Sequence, residues 1–206
     1  MPIKNIYCVG RNYILHAKEL NNPVPESPFL FTKPTHALVE SQGQTIVMPQ
    51  ERGSIHYEVE LVIHIGEKYE PGKEADELID KIAIGIDFTL RDVQGELKKK
   101  GLPWLLAKGF PNAAVLSSWL PFEGLESIAR YDFALEKNGE EVQRGNIKDM
   151  LFDIPTLIEF CGKNLGLAEG DIIFTGTPAG VGPISKGDHF ILKWKDEKVG
   201  DFFIGS

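Results

Sequence analysis

The sequence predicts an α+β, strand-rich fold, a mainly antiparallel or mixed β sandwich or roll with peripheral helices. Three observations carry this. The 206 residues include 21 glycines and 13 prolines, and such frequent punctuation favours many short strands over a helical bundle. Strand-like segments do not alternate regularly with helical ones, which argues against a doubly wound parallel sheet. Finally, 42% of the residues are hydrophobic and 25% charged, and a chain of this length buries roughly 70% of its unfolded surface. One folded domain over residues 1–206 is expected.

The elements follow in order. Residues 3–9 read as a first strand that Gly10-Arg11-Asn12 ends. A short helical pattern from Tyr13 to Leu20 is closed by Asn21-Asn22-Pro23, and Pro25 and Pro28 prevent regular structure beyond it. A short helix pinched between breakers is suited to be a flap, so residues 13–28 are expected to be a mobile lid. Residues 30–32 and 45–48 read as brief strands. From Tyr57 to Ile65, the residues Tyr57, Val59, Leu61, Ile63 and Ile65 alternate on one face, the clearest strand of the chain. A helix is expected over 74–80, then a strand whose buried face is Ile82, Ile84, Ile86 and Phe88. Thr89 followed by Asp92 resembles an N-cap, opening a helix that runs to about Lys100 and stops at Gly101. Asn138-Gly139 is a two-residue hairpin signal. Residues 155–163 read as a helix with proline in its first turn, and strands are expected over 171–175, 190–194 and 201–204.

Charge narrows the function. The net charge is -8, which opposes the phosphate-neutralising chemistry that nucleic-acid binding needs. The basic run Lys98-Lys99-Lys100 reads as the solvated end of a helix. Cys8 and Cys161 are far apart with no C-x-x-C spacing, so neither a disulfide framework nor a zinc knuckle is suggested. No apolar stretch approaches a membrane span, and the first residues lack a signal-peptide layout. The cytoplasm is the expected location, with no nucleic-acid or membrane partner.

Several residues could carry chemistry. Opposite the apolar face of the Tyr57–Ile65 segment stand Glu58 and Glu60, two carboxylates about 6.6 Å apart on one face of a strand. Opposite the isoleucines of the later strand stand Ala83, Gly85, Asp87 and Thr89, small residues around one acid that leave an open floor for a ligand. Together Glu58, Glu60 and Asp87 would form an all-oxygen site for magnesium, manganese or calcium. An ordinary solvated acidic face has the same pattern. His16 and Glu19, three apart on the short helix, can touch, giving a carboxylate that orients an imidazole; a surface pair of no consequence would look alike. His36, His56, His64 and His189 have no comparable partner spacing. Lys108 lies in an apolar stretch where a lone lysine needs solvent or a negative partner, and solvent is the usual answer. The loop from Phe174 to Gly182 could present threonine hydroxyls and backbone N–H groups to an anion.

In series, these segments resemble the fumarylacetoacetate hydrolase family, in its short acylpyruvase-like branch. The resemblance runs from Val9-Gly10-Arg11-Asn12-Tyr13 through Ser27-Pro28-Phe29-Leu30-Phe31, Tyr57-Glu58-Val59-Glu60-Leu61, Gly85-Ile86-Asp87-Phe88-Thr89 and Arg91-Asp92-Val93-Gln94. It continues through Gly101-Leu102-Pro103-Trp104 and Ala107-Lys108 to the Gly170–Gly182 segment. It implies a β-rich fold peculiar to the family, usually homodimeric, with Glu58, Glu60 and Asp87 binding a divalent cation, commonly magnesium. It implies further that His16 and Glu19 belong to a mobile lid, that Lys108 is an active-site lysine, and that Arg11, Gln94 and Thr177 hold the substrate's carboxylate and oxo groups.

The expected activity is metal-dependent cleavage of acylpyruvates to pyruvate and a carboxylate. His16 would activate a water, while the metal and Lys108 would hold the enolate. Three carboxylates, one divalent cation and a protonated Lys108 sum to near neutrality, which admits a small anionic 2-oxo acid. Oxaloacetate decarboxylation is a natural companion, and tautomerisation of oxaloacetate is the alternative. A calcium-stabilised binding scaffold, with the His16 helix as a partner-binding surface, is the non-enzymatic reading, and it requires neither Lys108 nor His16 near the metal.

Overall fold

The structure is a computed structural model that describes residues 2–19 and 25–205, apart from the side chains of residues 16–18 and 50. It is strand-rich and mixed, as the sequence predicts. Its largest sheet has eight strands. In spatial order these are Phe29–Lys33, Ile6–Gly10, Ile172–Phe174, Val59–Ile65, Ile79–Asp87, Ala114–Leu116 and Leu38–Glu40, with Leu120–Pro121 pairing alongside Ile79–Asp87. Most neighbours are antiparallel, but Ile6–Gly10 runs parallel to Ile172–Phe174 and Leu38–Glu40 parallel to Ala114–Leu116. A second sheet orders Glu140–Gly145, Phe133–Lys137, His189–Trp194, Glu197–Gly205 and Thr45–Val47, and a third joins Gly182–Pro183, Ile55–Tyr57 and Thr89–Leu90.

The sheets meet at an aromatic seam. Phe88, just beyond the strand Ile79–Asp87, packs edge-on against Phe190 and Phe202 of the second sheet, with centroids 6.3 and 6.2 Å away. Phe190 and Phe202 stack on each other at 5.4 Å. All three are fully buried, and each such ring contributes on the order of 1.5–3 kcal/mol by leaving water. The sequence Asp87-Phe88-Thr89 thus sets its ring into this seam while its two polar side chains face a lysine, as described below.

Local chemistry accounts for most boundaries. The Asn138-Gly139 turn has φ of 55° and 86°, the left-handed pair that a two-residue hairpin requires. The helix Ile154–Leu165 starts where Asp153 accepts the Thr156 N–H, carries proline in its first turn and ends at Gly166. The helix expected over 74–80 is shorter, Ala75–Leu78, because Ile79 already enters a strand. Thr89 is not the cap of the next helix. That helix is Arg91–Lys99 with Leu90 as its cap residue, while Thr89 lies in a short strand opposite His56. Asp92 instead accepts the Ser54 N–H at 2.8 Å.

The Tyr57–Ile65 segment also departs from expectation. It divides into Ile55–Tyr57 and Val59–Ile65, with Glu58 at the joint, and all seven residues of the second strand are buried, so its polar face is as enclosed as its apolar one. His64 and His189 have partners that sequence spacing concealed, because strand pairing supplies them. His64 Nδ1 lies 2.5 Å from Asp80, and His189 Nε2 3.1 Å from Asp201. Cys8 and Cys161 are buried free thiols. Of the expected lid, residues 20–24 lie outside the described residues. The helix Ile14–Glu19 is formed, and Tyr13 before it is buried and bridges to the backbone of Met150. No described helix is long and apolar enough to cross a membrane.

Candidate active site and acidic metal centre

Strand pairing brings the three acids together. Glu60 sits opposite Gly85 and Val59 opposite Ile86, and the Asp87 N–H donates to the Glu58 carbonyl at 2.9 Å. One carboxylate oxygen from each of Glu58, Glu60 and Asp87 then lies within 4.8 Å of the others. Their exposures are 5%, 2% and 0%, which rules out a solvated acidic face. The expected open floor beside Asp87 is filled, because a Cβ on Gly85 would lie 2.7 Å from the Phe174 ring and 2.8 Å from Val62. Glycine is needed there so that an aromatic ring can pack against the strand.

Buried cations answer these acids. Lys108 ends the short helix Leu105–Lys108, is 2% exposed and finds partners rather than solvent. Its Nζ donates to Asp87 at 2.5 Å, Thr89 Oγ1 at 2.6 Å and Glu58 at 2.8 Å. Burial favours the neutral amine, but Asp87 and Glu58 outweigh it and raise the Lys108 pKa above its ordinary value, so the side chain stays protonated. Glu60 is pushed the other way from a normal carboxylate. Burial, then the charges of Asp87 and Glu58, raise its pKa well above the usual range, against the opposing hydrogen bond from the Gly176 N–H.

Two cations of the cluster had no role in the sequence reading. Lys33 closes the strand Phe29–Lys33 and donates to the carbonyls of Phe88, Lys108 and Ala113. Its Nζ is also 2.7 Å from Asp87 Oδ1. Arg91 opens its helix with Nη2 2.5 Å from Glu58 and Nη1 2.8 Å from Gln94 Oε1. Arg91 belongs to the Arg91-Asp92-Val93-Gln94 segment, but Lys33 is marked only by its place between a strand and Pro34. Three cations thus contact two of the carboxylates, Glu58 and Asp87, while Glu60 is held by the Gly176 N–H. The expectation that Lys108 alone brings a metal-loaded site to neutrality is corrected: a divalent ion would leave it positive.

The donor set fits a hard divalent cation. All candidate ligands are carboxylate oxygens, and one oxygen of each is buried within 4.8 Å of the others. Glu58, Glu60 and Asp87 would hold the ion.

A cavity of about 40 Å³ opens over these groups, and Arg11, Gln94, Thr177 and Lys108 all line it. The sequence-predicted residues therefore converge, apart from Glu19, which does not line the cavity, and His16, whose side chain lies outside the described residues. Glu19 accepts the Gly180 N–H at 3.1 Å, tying the helix Ile14–Glu19 to the loop that carries Thr177. Gly176 and Gly180 thus direct their N–H groups at protein carboxylates, not at an anionic ligand as the loop composition suggested. Lys98 is not simply a solvated helix end, since it lines the cavity and its pKa is lowered by partial burial and by Arg11 and Arg91.

Comparison with known proteins identifies the family. The sequence model of the fumarylacetoacetate hydrolase C-terminal domain matches residues 5–201. The chain belongs to the fumarylacetoacetate hydrolase family. Within the family it is 44% identical over 184 residues to a mitochondrial oxaloacetate tautomerase from Arabidopsis thaliana, covering 88% of this chain and 82% of that protein. It is 41% identical over 194 residues to an Escherichia coli oxaloacetate tautomerase, covering 93% and 88%. Among solved structures, fumarylpyruvate hydrolase from Pseudomonas aeruginosa in complex with Mn²⁺ and pyruvate superposes with a TM-score of 0.90 at 31% identity, covering 98% of this chain and 90% of that one.

Proposed function

We propose that this family member is a divalent-metal-dependent enzyme acting on small anionic 2-oxo acids, and that it interconverts the enol and keto forms of oxaloacetate. The balance of charge at the buried carboxylates carries the reading. Lys33, Lys108 and Arg91 contact Glu58 and Asp87, and Arg11 and Lys98 line the same cavity. With a divalent ion bound, the positive excess suits a dianion such as oxaloacetate better than a monoanionic acylpyruvate such as acetylpyruvate. The names of the tautomerases to which the chain is 41–44% identical support the same reading.

The ion held by Glu58, Glu60 and Asp87, magnesium or manganese, would supply Lewis-acid polarisation of the substrate's 2-oxo oxygen. Arg11, Gln94 and Thr177 bind the substrate's carboxylate and oxo groups. Protonated Lys108 stabilises the negative charge that develops on the enolate oxygen. His16 is assigned the transfer of the proton between that oxygen and the adjacent carbon.

A second reading keeps acylpyruvate hydrolysis, with oxaloacetate decarboxylation as its companion. A cleft of about 730 Å³ lined by Phe29, Leu102 and Trp104 shares Arg11 and Lys98 with the cavity and has room for an acyl group. The named fumarylpyruvate hydrolase is similar in structure. A homodimer in the cytoplasm belongs to the same proposal, with the exposed Leu102, Leu105 and Leu106 as a surface for a second copy to cover; sedimentation analysis tests it.

One metal-loaded preparation assayed in parallel for oxaloacetate tautomerisation, oxaloacetate decarboxylation and acetylpyruvate cleavage decides between the two. Tautomerisation is expected to be fastest by kcat/KM. Faster acetylpyruvate cleavage would make the hydrolase reading the correct one.

A further inference from the structure

We propose that Gln143 is a positioning residue that commits the Thr177 hydroxyl to donating a hydrogen bond into the cavity, so that the site selects an accepting oxygen there. The inference rests on the 2-oxo acid reading and adds the chemical demand made at one point of the site.

Gln143 lies on the strand Glu140–Gly145 of the second sheet and is 2% exposed. Its amide is held at three points. Oε1 accepts the Val59 N–H at 2.9 Å, and Nε2 donates to the Pro178 carbonyl and to Thr177 Oγ1, each at 2.9 Å. This orientation cannot be reversed, because a backbone N–H faces one end of the amide and a backbone carbonyl the other. Val59 stands between Glu58 and Glu60, so the same side chain ties the acid-bearing strand to the Thr177 loop.

The consequence for Thr177 is chemical. Its oxygen accepts a hydrogen bond from the Gln143 amide through one lone pair, which turns its own hydroxyl proton away from Gln143 and leaves it to donate elsewhere. The Pro178 carbonyl is 3.5 Å away and already holds the Gln143 amide at 2.9 Å, which makes it a poor competitor. Thr177 lines the cavity above the carboxylates, where a ligand's oxo or carboxylate oxygen would take that proton. An ammonium group, which has only protons to offer, could use no more than the second lone pair of Oγ1 and would leave the hydroxyl proton without an acceptor, so 2-oxo acids are favoured over 2-amino acids at this position.

Calorimetric binding of oxalate to the Mn²⁺-loaded protein tests this. Thr177→Val should weaken oxalate binding about tenfold or more, the loss typical of a hydrogen bond to a charged group. Gln143→Met should weaken it by a similar factor, because the freed Pro178 carbonyl then captures the hydroxyl proton. The double variant should bind no more weakly than Thr177→Val alone, since both changes remove one donor. Should Gln143→Met not fold, Gln143→Glu keeps an acceptor for Val59 while drawing the Thr177 proton to itself, and the same loss is expected. Wild-type affinity in the folded Gln143 variant, or a double variant whose loss is the product of the single losses, would overturn the assignment. Failure of the wild-type protein to bind oxalate at all would instead overturn the 2-oxo acid reading on which it rests.

Discussion

Two clusters of charge in this protein have similar contact lengths and opposite surroundings. Arg144 reaches Glu141 at 2.6 Å, Asp196 at 2.8 Å and Asp132 at 3.4 Å, among side chains that are 37–73% exposed. Lys108 reaches Asp87 at 2.5 Å and Glu58 at 2.8 Å, among side chains that are 1–7% exposed. Water screens the first cluster, where each pair contributes about 0–1 kcal/mol. In the second, every ion has lost its hydration at a cost of several kcal/mol, which mutual attraction only partly offsets. Distance therefore says little about what an ion pair does. A chain that buries three acids and their cations in its central sheet gains little stability from them, and the gain has to lie in what the site binds.

The sharpest way to break this comparison is to neutralise one buried acid. Glu60→Gln should lower turnover about 10³-fold or more by removing a metal ligand, a loss of several kcal/mol of transition-state stabilisation. Its effect on metal-free stability should have the opposite sign. The Glu60 pKa is raised from its ordinary 4.5 by burial and like charge, so ionisation destabilises the fold progressively as pH rises from about that value toward the raised one. The metal-free variant should therefore melt higher than wild type at neutral pH, and the difference should vanish in acid. A lower melting temperature at neutral pH would mean that Glu60 is structural.

Lys108→Met should reduce turnover by about 10²–10³, the usual loss when an electrostatic donor is removed, yet tighten Mn²⁺ binding, because a cation that competes for Glu58 and Asp87 is gone. Weaker Mn²⁺ binding in a calorimetric titration would count against a competing role for the lysine. Gly85→Ala acts on packing beneath the site, where the added methyl meets Phe174 and Val62. Overpacking of this kind costs about 1–3 kcal/mol, read as a fall in denaturation midpoint. At the other cluster, Arg144→Ala should cost under about 1 kcal/mol, less still in high salt, with turnover unchanged. A larger loss at Arg144 would undo the comparison.

The same contrast explains what the sequence revealed. Turn and cap chemistry is local, so the Asn138-Gly139 hairpin and the Pro155 helix could be read directly, and alternation exposed the acids of the Glu58-Val59-Glu60 run. What one residue faces across the sheets could not be read this way. Lys108 had solvent as its default partner because its acids lie 50 and 21 residues away. Lys33 and Gln143 belong to no short motif, and their roles arise where separate strands meet. The space beside Gly85 looked open because the ring that fills it, Phe174, comes from a strand far along the chain. Thr89 matched a helix cap by composition, but the pull of a buried lysine and a strand pairing with His56 place it elsewhere.

The central claim is that the buried carboxylates form a metal site in a 2-oxo acid enzyme, and one measurement addresses it most directly. Chelator-stripped protein is assayed for enol–keto interconversion of oxaloacetate while Mg²⁺ or Mn²⁺ is titrated back and bound ion is counted. The stripped protein should be inactive, and activity should return in proportion to one ion bound per chain, with no ion bound and no recovery in Glu60→Gln. Full activity in the stripped protein, or recovery in Glu60→Gln equal to wild type, would contradict the account.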